Sequence, residues 1–259
     1  MKKRFEGALT AVREVARDIF ELTVESDLAR TPSLPGQFVH VAVPGGDLLL
    51  RRPISLYDVD RTAGVFRLIV QQKGEGTARL CALAPGAKLD LLGPLGRGFT
   101  LPAGARRVAL AGGGIGAAPL CYCLRKWPGV EFEMFVGFRG AQYAYGLHEF
   151  GARSRLYAAS DDGSLGQKGF VTELLAQRLE QQSFDAVLAC GPLPMLRALA
   201  RVMAAHPDIP CQISLEERMG CGVGACRVCA CRIREAGEER YMRVCRDGPV
   251  FPIEKVVLE

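Results

Sequence analysis

The run MGCGVGACRVCACRI, residues 219–233, sets Cys221, Cys226 and Cys229 at CxxxxCxxC spacing, and Cys245 follows further along. Four thiolates at these intervals draw the chain around a compact metal centre. Structural zinc usually takes separated CxxC or HxxxH pairs, whereas this spacing with a distant fourth cysteine is the plant-type pattern of a [2Fe-2S] cluster. Gly220, Gly222, Gly224 and Ala225 let the backbone curl tightly and bring N–H groups to the sulfurs, where they tune a cluster's potential. A zinc ribbon or a set of buried free thiols is the other reading of these residues. Cys231 would share a strand face with Cys229 if VCACRI is extended, which makes it the one rival ligand. The iron–sulfur spacing selects Cys229.

A chain of 259 residues buries most of its unfolded surface and has room for two or three domains. Its net charge of +5 is spread among scattered Lys, Arg and acidic residues, which leaves no nucleic-acid footprint. Lys2, Lys3 and Arg4 are followed by Glu6, Arg13 and Glu14 with no long apolar stretch, so no signal peptide is expected and the cytoplasm is the expected location. Ten cysteines without such a signal argue for reduced thiols and metal ligands, not a disulfide framework. The 17 uncharged residues Val108–Leu124 approach a membrane span in length but contain four glycines and Pro119. A strand, a glycine turn and a helix explain them better, and no membrane partner is expected.

Residues 5–100 hold short β-branched or alternating stretches, FELTVES, GQFVHVAV and GVFRLIVQ, between Pro and Gly turns; they predict an all-β barrel or sandwich. The helical interruption TARLCALAPG has Thr77 as its expected N-cap. From Leu101 the pattern changes. Apolar strands RRVALAGGG, VEFEMFVGFRG, RLYAASDDG and FDAVLACGP alternate with helical stretches PLCYCLRKW, VTELLAQRLE and PMLRALARVMAA, which predicts a parallel, doubly wound α/β sheet. After Pro210 comes a cysteine-rich segment in which YMRVCRDGPVF is expected to form a hairpin or meander. The expected units are 1–100, 101–210 and 211–259. Cys81, Cys121, Cys123 and Cys211 lie in apolar contexts and read as packing residues.

RRPISLYD, residues 51–58, stands at the end of an expected barrel strand, and Arg52, Pro53, Ile54 and Ser55 resemble the Arg-x-x-Ser signature of the ferredoxin reductase superfamily. That resemblance implies a flavin-binding barrel holding FAD. Arg52 would fork onto a diphosphate oxygen, Pro53 would stiffen the strand, and Ser55 would reach the reactive nitrogen edge of the flavin. Ile69, Val70 and Gln71 lie on the next strand, and Gly76 and Thr77 would offer N–H groups and a helix dipole to the pyrophosphate.

ALAGGGIGAAPL, residues 109–120, is a strand, a glycine turn and a helix, as a dinucleotide pyrophosphate requires. Gly112, Gly114 and Ala117 satisfy GxGxxA, with Gly113 and Gly116 in the same turn. Cys190, Gly191 and Pro192 end what is expected to be the last parallel strand, at the carboxyl edge where open sheets bind ligands. In the superfamily a Cys-Gly-Pro there lies beside the nicotinamide, with Met195 nearby. In SDDGS, Asp161 and Asp162 would repel a 2′-phosphate and suit a ribose hydroxyl, favouring NAD over NADP.

The order barrel, nucleotide domain, small C-terminal [2Fe-2S] domain, with EERMGCGVGAC at residues 216–226, resembles the electron transfer subunits of dihydroorotate dehydrogenase B. The resemblance implies a separate FMN-containing catalytic subunit, a heterotetramer of two of each, and electron flow through the cluster and FAD to NAD⁺ in pyrimidine (UMP) biosynthesis. Two other readings stay open here: the flavin/iron–sulfur subunit of a hydrogenase, sulfite reductase or NAD(P)H:ferredoxin oxidoreductase complex, and a zinc-stabilised binding module.

Overall fold

A computed structural model describes residues 3–258 of the chain. Met1, Lys2 and Glu259, the outer ends of the first and third expected units, lie outside the described residues.

The strands β1 (Lys3–Ala16), β2 (Ile19–Glu25), β3 (Phe38–Val41), β4 (Arg52–Asp60), β5 (Val65–Gln71) and β6 (Lys88–Leu95) close into an antiparallel barrel in the order β1-β2-β5-β4-β3-β6. Alternation decides what fills it. Leu22, Val24, Val39, Val41, Leu68 and Val70 point into one core, while neighbours on the same strands face outward. RRPISLYD opens β4 at Arg52 instead of closing a strand, because a loop, exposed at Asp47, Leu49 and Leu50, precedes it.

Helix α1 (Glu75–Cys81) begins after the extended Gly74. Thr77 is therefore its third residue and not the N-cap that the sequence suggested. Its Oγ1 reaches back to accept the N–H groups of Lys73 and Gly74 at 3.0 and 3.2 Å, which satisfies donors that a helix start leaves free.

The second layer is a seven-stranded sheet, ordered β10-β9-β8-β7-β11-β12-β15. Its members are β7 (Arg107–Gly113), β8 (Glu131–Phe138), β9 (Arg155–Ser160), β10 (Gln167–Lys168), β11 (Ala186–Cys190), β12 (Cys211–Ser214) and β15 (Val250–Pro252). All pair in parallel except β15, which is antiparallel to β12. The uncharged stretch 108–124 divides into β7, a 3-10 turn at Gly114–Ala117 and the start of helix α2 (Ala118–Lys126). Helices α3 (Leu147–Gly151), α4 (Val171–Gln181) and α5 (Leu193–Ala204) supply the other crossovers. After Arg107, β7 is apolar because it is buried on both faces: Val108 and Leu110 enter one core, Ala109 and Ala111 the other. Among the described residues no helix is long and apolar enough to cross a membrane.

β11 is not the last parallel strand. β12 lies beside it, pairing Val187 with Cys211 through to Cys190 with Ser214, although the expected boundary at 210 assigns those residues to the third unit. Cys211 and Ile213 bury in the sheet core, and that burial holds β12 there. YMRVCRDGPVF likewise divides between two sheets. Tyr241–Arg243 end β14 (Glu238–Arg243), which pairs only with β13 (Ala230–Glu235), whereas Val250 and Phe251 join β12. The cysteine loop and the β13-β14 hairpin are thus spliced between β12 and the edge strand β15 of the seven-stranded sheet. They pack through Met219, Cys229, Ile233 and Val244 against Phe38 and Leu95 of the barrel.

Barrel and sheet are joined by apolar contact and by one ionic knot. Ile19, Tyr57 and Ile69 of the barrel share a core with α2 and β8. Arg67 donates to Glu21, Asp58 and Glu149 at 2.9, 2.9 and 2.7 Å. Burial alone would raise Glu149, yet hydrogen bonds from Arg67 hold its carboxyl below the usual range. Glu149 sits on α3, so the knot fixes the nucleotide unit against the barrel.

Candidate functional site

Two cavities, of about 430 and 410 Å³, open where barrel, sheet and cysteine loop meet, and Glu216 lines both. The larger lies at the carboxyl edge of the parallel strands. Gly113, Gly114 and Gly116 form one wall, Gly191, Pro192 and Met195 another, and Gln71 and Lys73 of the barrel close it. Close approach explains the glycines: a methyl on Gly112 would sit 2.8 Å from Ala117 Cβ, and one on Gly113 would sit 2.5 Å from Met195 Sδ. The Tyr145 hydroxyl donates to the carbonyls of Gly114 and Ile115 at 3.2 and 3.1 Å, pinning the turn from beneath. This is a turn whose free N–H groups and helix start suit a pyrophosphate.

Of the two acids after the third strand, Asp161 lines this cavity. Asp162 instead accepts from the Ser164 backbone N–H at 2.9 Å and from its hydroxyl, so it builds the turn. Arg139, at the end of β8, lines the same cavity as Asp161. Sequence reasoning missed it by looking only after the third strand, although GFRG places a cation at the carboxyl end of the second.

The smaller cavity is walled by Phe38, Pro53 and Ser55 from the barrel, Cys190 and Ser214 from the sheet, and Leu215–Met219. Pleating sorts the expected flavin residues. Pro53 and Ser55 face this space, whereas Ile54 packs on the barrel core. On β5, Ile69 and Val70 are core residues and Gln71 lines the larger cavity. Ile69 and Val70, both buried, can therefore meet a ligand through the main chain alone, whereas Ile54 is half-buried. Cys190 is buried, and burial together with the Glu216 charge raises its thiol. Glu216 itself lies in a concavity that solvent reaches; desolvation by the walls raises its carboxyl and Lys73 opposes the shift. The sequence motif contains Glu216, but nothing in its spacing says that the residue stands between two cavities.

Arg52 lies over α1, with its guanidinium against Gly76 and a hydrogen bond to the Leu50 carbonyl. A methyl at Gly76 would collide with Nε, Nη2 and Cζ of Arg52. Gly76→Ala should therefore turn the guanidinium away and reduce flavin retention about tenfold, the order of one charge-assisted hydrogen bond. Bound flavin measured by absorbance after gel filtration tests this, and wild-type content in the variant would remove Arg52 from the site.

In the cysteine loop the thiols fall into two pairs. Cys221 Sγ accepts N–H groups of Val223, Ala225 and Cys226 at 3.4, 3.3 and 3.4 Å, and Cys226 Sγ accepts that of Cys221 at 3.3 Å. Cys229 Sγ accepts the N–H of Cys245 at 3.4 Å. Desolvation works against ionisation, but the N–H groups of Cys226 and Val223 outweigh it and bring the Cys221 thiol down to about 6. Two pairs of thiols wrapped in backbone donors fit two irons, each holding two thiolates. Cys231 is on β13, buried in the small core, and burial raises its thiol to about 12.

Residues 6–99 match the family described as the oxidoreductase FAD-binding domain, and residues 216–257 match the iron–sulfur cluster binding domain of dihydroorotate dehydrogenase B. The chain is 43% identical over 265 residues to the electron transfer subunit of dihydroorotate dehydrogenase B (NAD⁺) from Shouchella clausii, with 100% of each chain covered. It is 45% identical over 252 residues to that from Bacillus caldolyticus, covering 95% of each. The chain belongs to this family of electron transfer subunits. Among solved structures, an NADH-dependent reduced ferredoxin-NADP oxidoreductase superposes with a TM-score of 0.85 at 28% identity, covering 97% of this chain and 90% of that one. A match to a FAD-binding domain and a match to an iron–sulfur cluster domain thus share this one polypeptide. The match to the cluster domain starts at Glu216, the residue common to both cavities.

Proposed function

We propose that this chain passes electrons from a separate FMN-containing subunit, which oxidises dihydroorotate, to NAD⁺, in pyrimidine (UMP) biosynthesis. One observation carries the reading: the nucleotide cavity, the cavity beside β4 and the cysteine loop are contiguous through Glu216–Met219, with Cys221 two residues further on. A flavin exchanges hydride pairs for single electrons and a [2Fe-2S] cluster relays them singly. The chain's own residues bind and orient. Arg52, Gly76 and Thr77 would hold the FAD diphosphate, with Pro53 and Ser55 against the ring system and the main chain of Ile54 and of Ile69–Gln71 beside it. Gly112, Gly113, Gly114 and Gly116 would cradle the NAD pyrophosphate, and Gly191 and Pro192 would place the nicotinamide next to Cys190. Cys221, Cys226, Cys229 and Cys245 would bind the cluster. Holding the reacting rings together is the catalytic contribution, so no acid or base need be assigned.

We further infer a heterotetramer of two of each subunit, working in the cytoplasm, where ten free thiols remain reduced. The decisive experiment is coexpression with a candidate FMN subunit and an anaerobic assay of dihydroorotate-dependent NAD⁺ reduction. A complex that carries full flavin and iron, reduces an artificial acceptor with dihydroorotate, and leaves NAD⁺ untouched would sink the proposal. Sedimentation of the complex checks the stoichiometry.

Asp161 and Arg139 face one cavity with opposite charges, so nucleotide choice turns on their balance. Asp161→Asn should lower the preference for NADH over NADPH about tenfold, since one hydrogen bond to a charged group is worth ~1.5 kcal/mol. The ratio of kcat/KM for the two nucleotides in diaphorase assays reads this directly. An unchanged ratio would place the ribose elsewhere.

A further inference from the structure

His40 is fully buried on β3, and neither its Nδ1 nor its Nε2 has a hydrogen-bond partner among the described residues. Strand alternation fixes where it points. Val39 and Val41 enter the barrel core, whereas Phe38, two residues before His40, packs among Met219, Cys229 and Cys245 of the cysteine domain. The imidazole therefore shares the face that the cluster loop covers. It lies on Gly222, the residue after Cys221: a methyl there would sit 2.5 Å from His40 Nδ1 and 3.1 Å from Cε1. Gly222 also has φ +69, so a glycine both makes the turn and admits the ring. His40 lines neither cavity, and its Nδ1 side faces the loop at Gly222.

Burial disfavours the charged form of the imidazole; a backbone contact at Arg51 works the other way, but burial and repulsion from the Arg51 and Arg52 guanidiniums outweigh it and hold His40 below the usual histidine range, as a neutral ring. Neutral imidazole still carries one N–H, and a buried donor without an acceptor is costly. The sulfurs of an iron–sulfur cluster are acceptors that gain negative charge on reduction, and hydrogen bonds to them raise the potential.

We propose that His40 donates its N–H to a sulfur of the cluster held by Cys221, Cys226, Cys229 and Cys245, and thereby raises that centre's reduction potential. It acts as a positioning and tuning residue and ligates no metal. The inference rests on the proposed ligand set, and iron content tests that set separately.

The test uses the full-length chain loaded with FAD and cluster, with the potential followed by electron paramagnetic resonance during redox titration. His40→Phe removes the donor and keeps the ring volume. It should retain the iron of the parent while the ratio of reduced to oxidised cluster at a fixed poise falls about tenfold, or 59 mV for one electron. His40→Asn, which keeps an N–H, should fall by less, and the flavin potential should not move. An iron-replete His40→Phe with the parent's cluster potential overturns the proposal. Should His40→Phe fail to load, the decision passes to a protein in which His148→Asn and His206→Asn leave His40 as the single remaining histidine of the three. Labelled with ¹⁵N-histidine, its reduced cluster should show a weak nitrogen coupling in pulsed resonance, and its absence overturns the proposal. A parent that binds no iron would instead refute the ligand set.

Discussion

Cys226→Ala should yield a folded, yellow, NADH-reducible protein with almost no iron, unable to couple dihydroorotate oxidation to NAD⁺ in the complex. The reason lies in how the loop is built. Cys226 is exposed and gives its own N–H to Cys221 Sγ while its sulfur accepts from Cys221 N. In the proposed ligand set the two thiols form one half, and neither belongs to the apolar core that contains Cys229 and Cys245. Removing Cys226 therefore costs little packing and would leave one side of the proposed two-iron centre with a single thiolate. FAD content and NADH-driven bleaching should stay at parental levels, because β4 and the glycine turn are separate from the loop. Cys231→Ser is the control. Its sulfur is buried in the small core and lies outside the proposed ligand set, so iron should remain at about two per chain, with a stability loss of ~1 kcal/mol for a hydroxyl placed in an apolar pocket. Iron lost from the Cys231 variant and kept in the Cys226 variant would redraw the ligand set.

Local chemistry made much of this architecture readable. The glycine turn was legible because GxGxxA states a backbone requirement: Gly112 must clear Ala117, and it does so wherever β7 ends. Barrel and sheet were legible because strand alternation and strand–helix alternation are short-range patterns. The cysteine spacing was legible because a cluster loop is itself a local object. What escaped were long-range placements. Cys211–Ser214 looks like the start of a new unit, since nothing within four residues reveals that β11 offers it an edge. Thr77 looks like a cap until Gly74 is seen to break the chain three residues earlier. Glu216, Arg139 and His40 acquire meaning only from residues distant in sequence, namely the second cavity, Asp161 and Gly222. Spacing encodes the turn that a residue makes; it does not encode what the fold brings to the other side.

Gly116→Ala should abolish most nucleotide binding while leaving flavin and iron in place. An added methyl would overlap the Cys190 carbonyl oxygen and lie 2.6 Å from its carbon and 2.7 Å from Gly191 Cα. Those atoms are main chain at the end of β11, which is paired on both sides by β7 and β12. They cannot rotate away as a side chain would, so relief must come from moving the glycine turn off the sheet edge. That would displace the N–H groups proposed to hold the pyrophosphate and shift Gly191 and Pro192, which share the cavity. Overpacking of this kind costs ~3 kcal/mol, or about a hundredfold in the KM for NADH. Gly114→Ala makes the comparison sharp. Its position has open space around it but φ +54, so the penalty is conformational alone, ~1 kcal/mol and a fewfold in KM. Steady-state diaphorase kinetics on both variants at matched flavin content measure the pair. Equal effects would mean that the turn binds through its conformation only and that the contact with Cys190 does not set the cavity's shape.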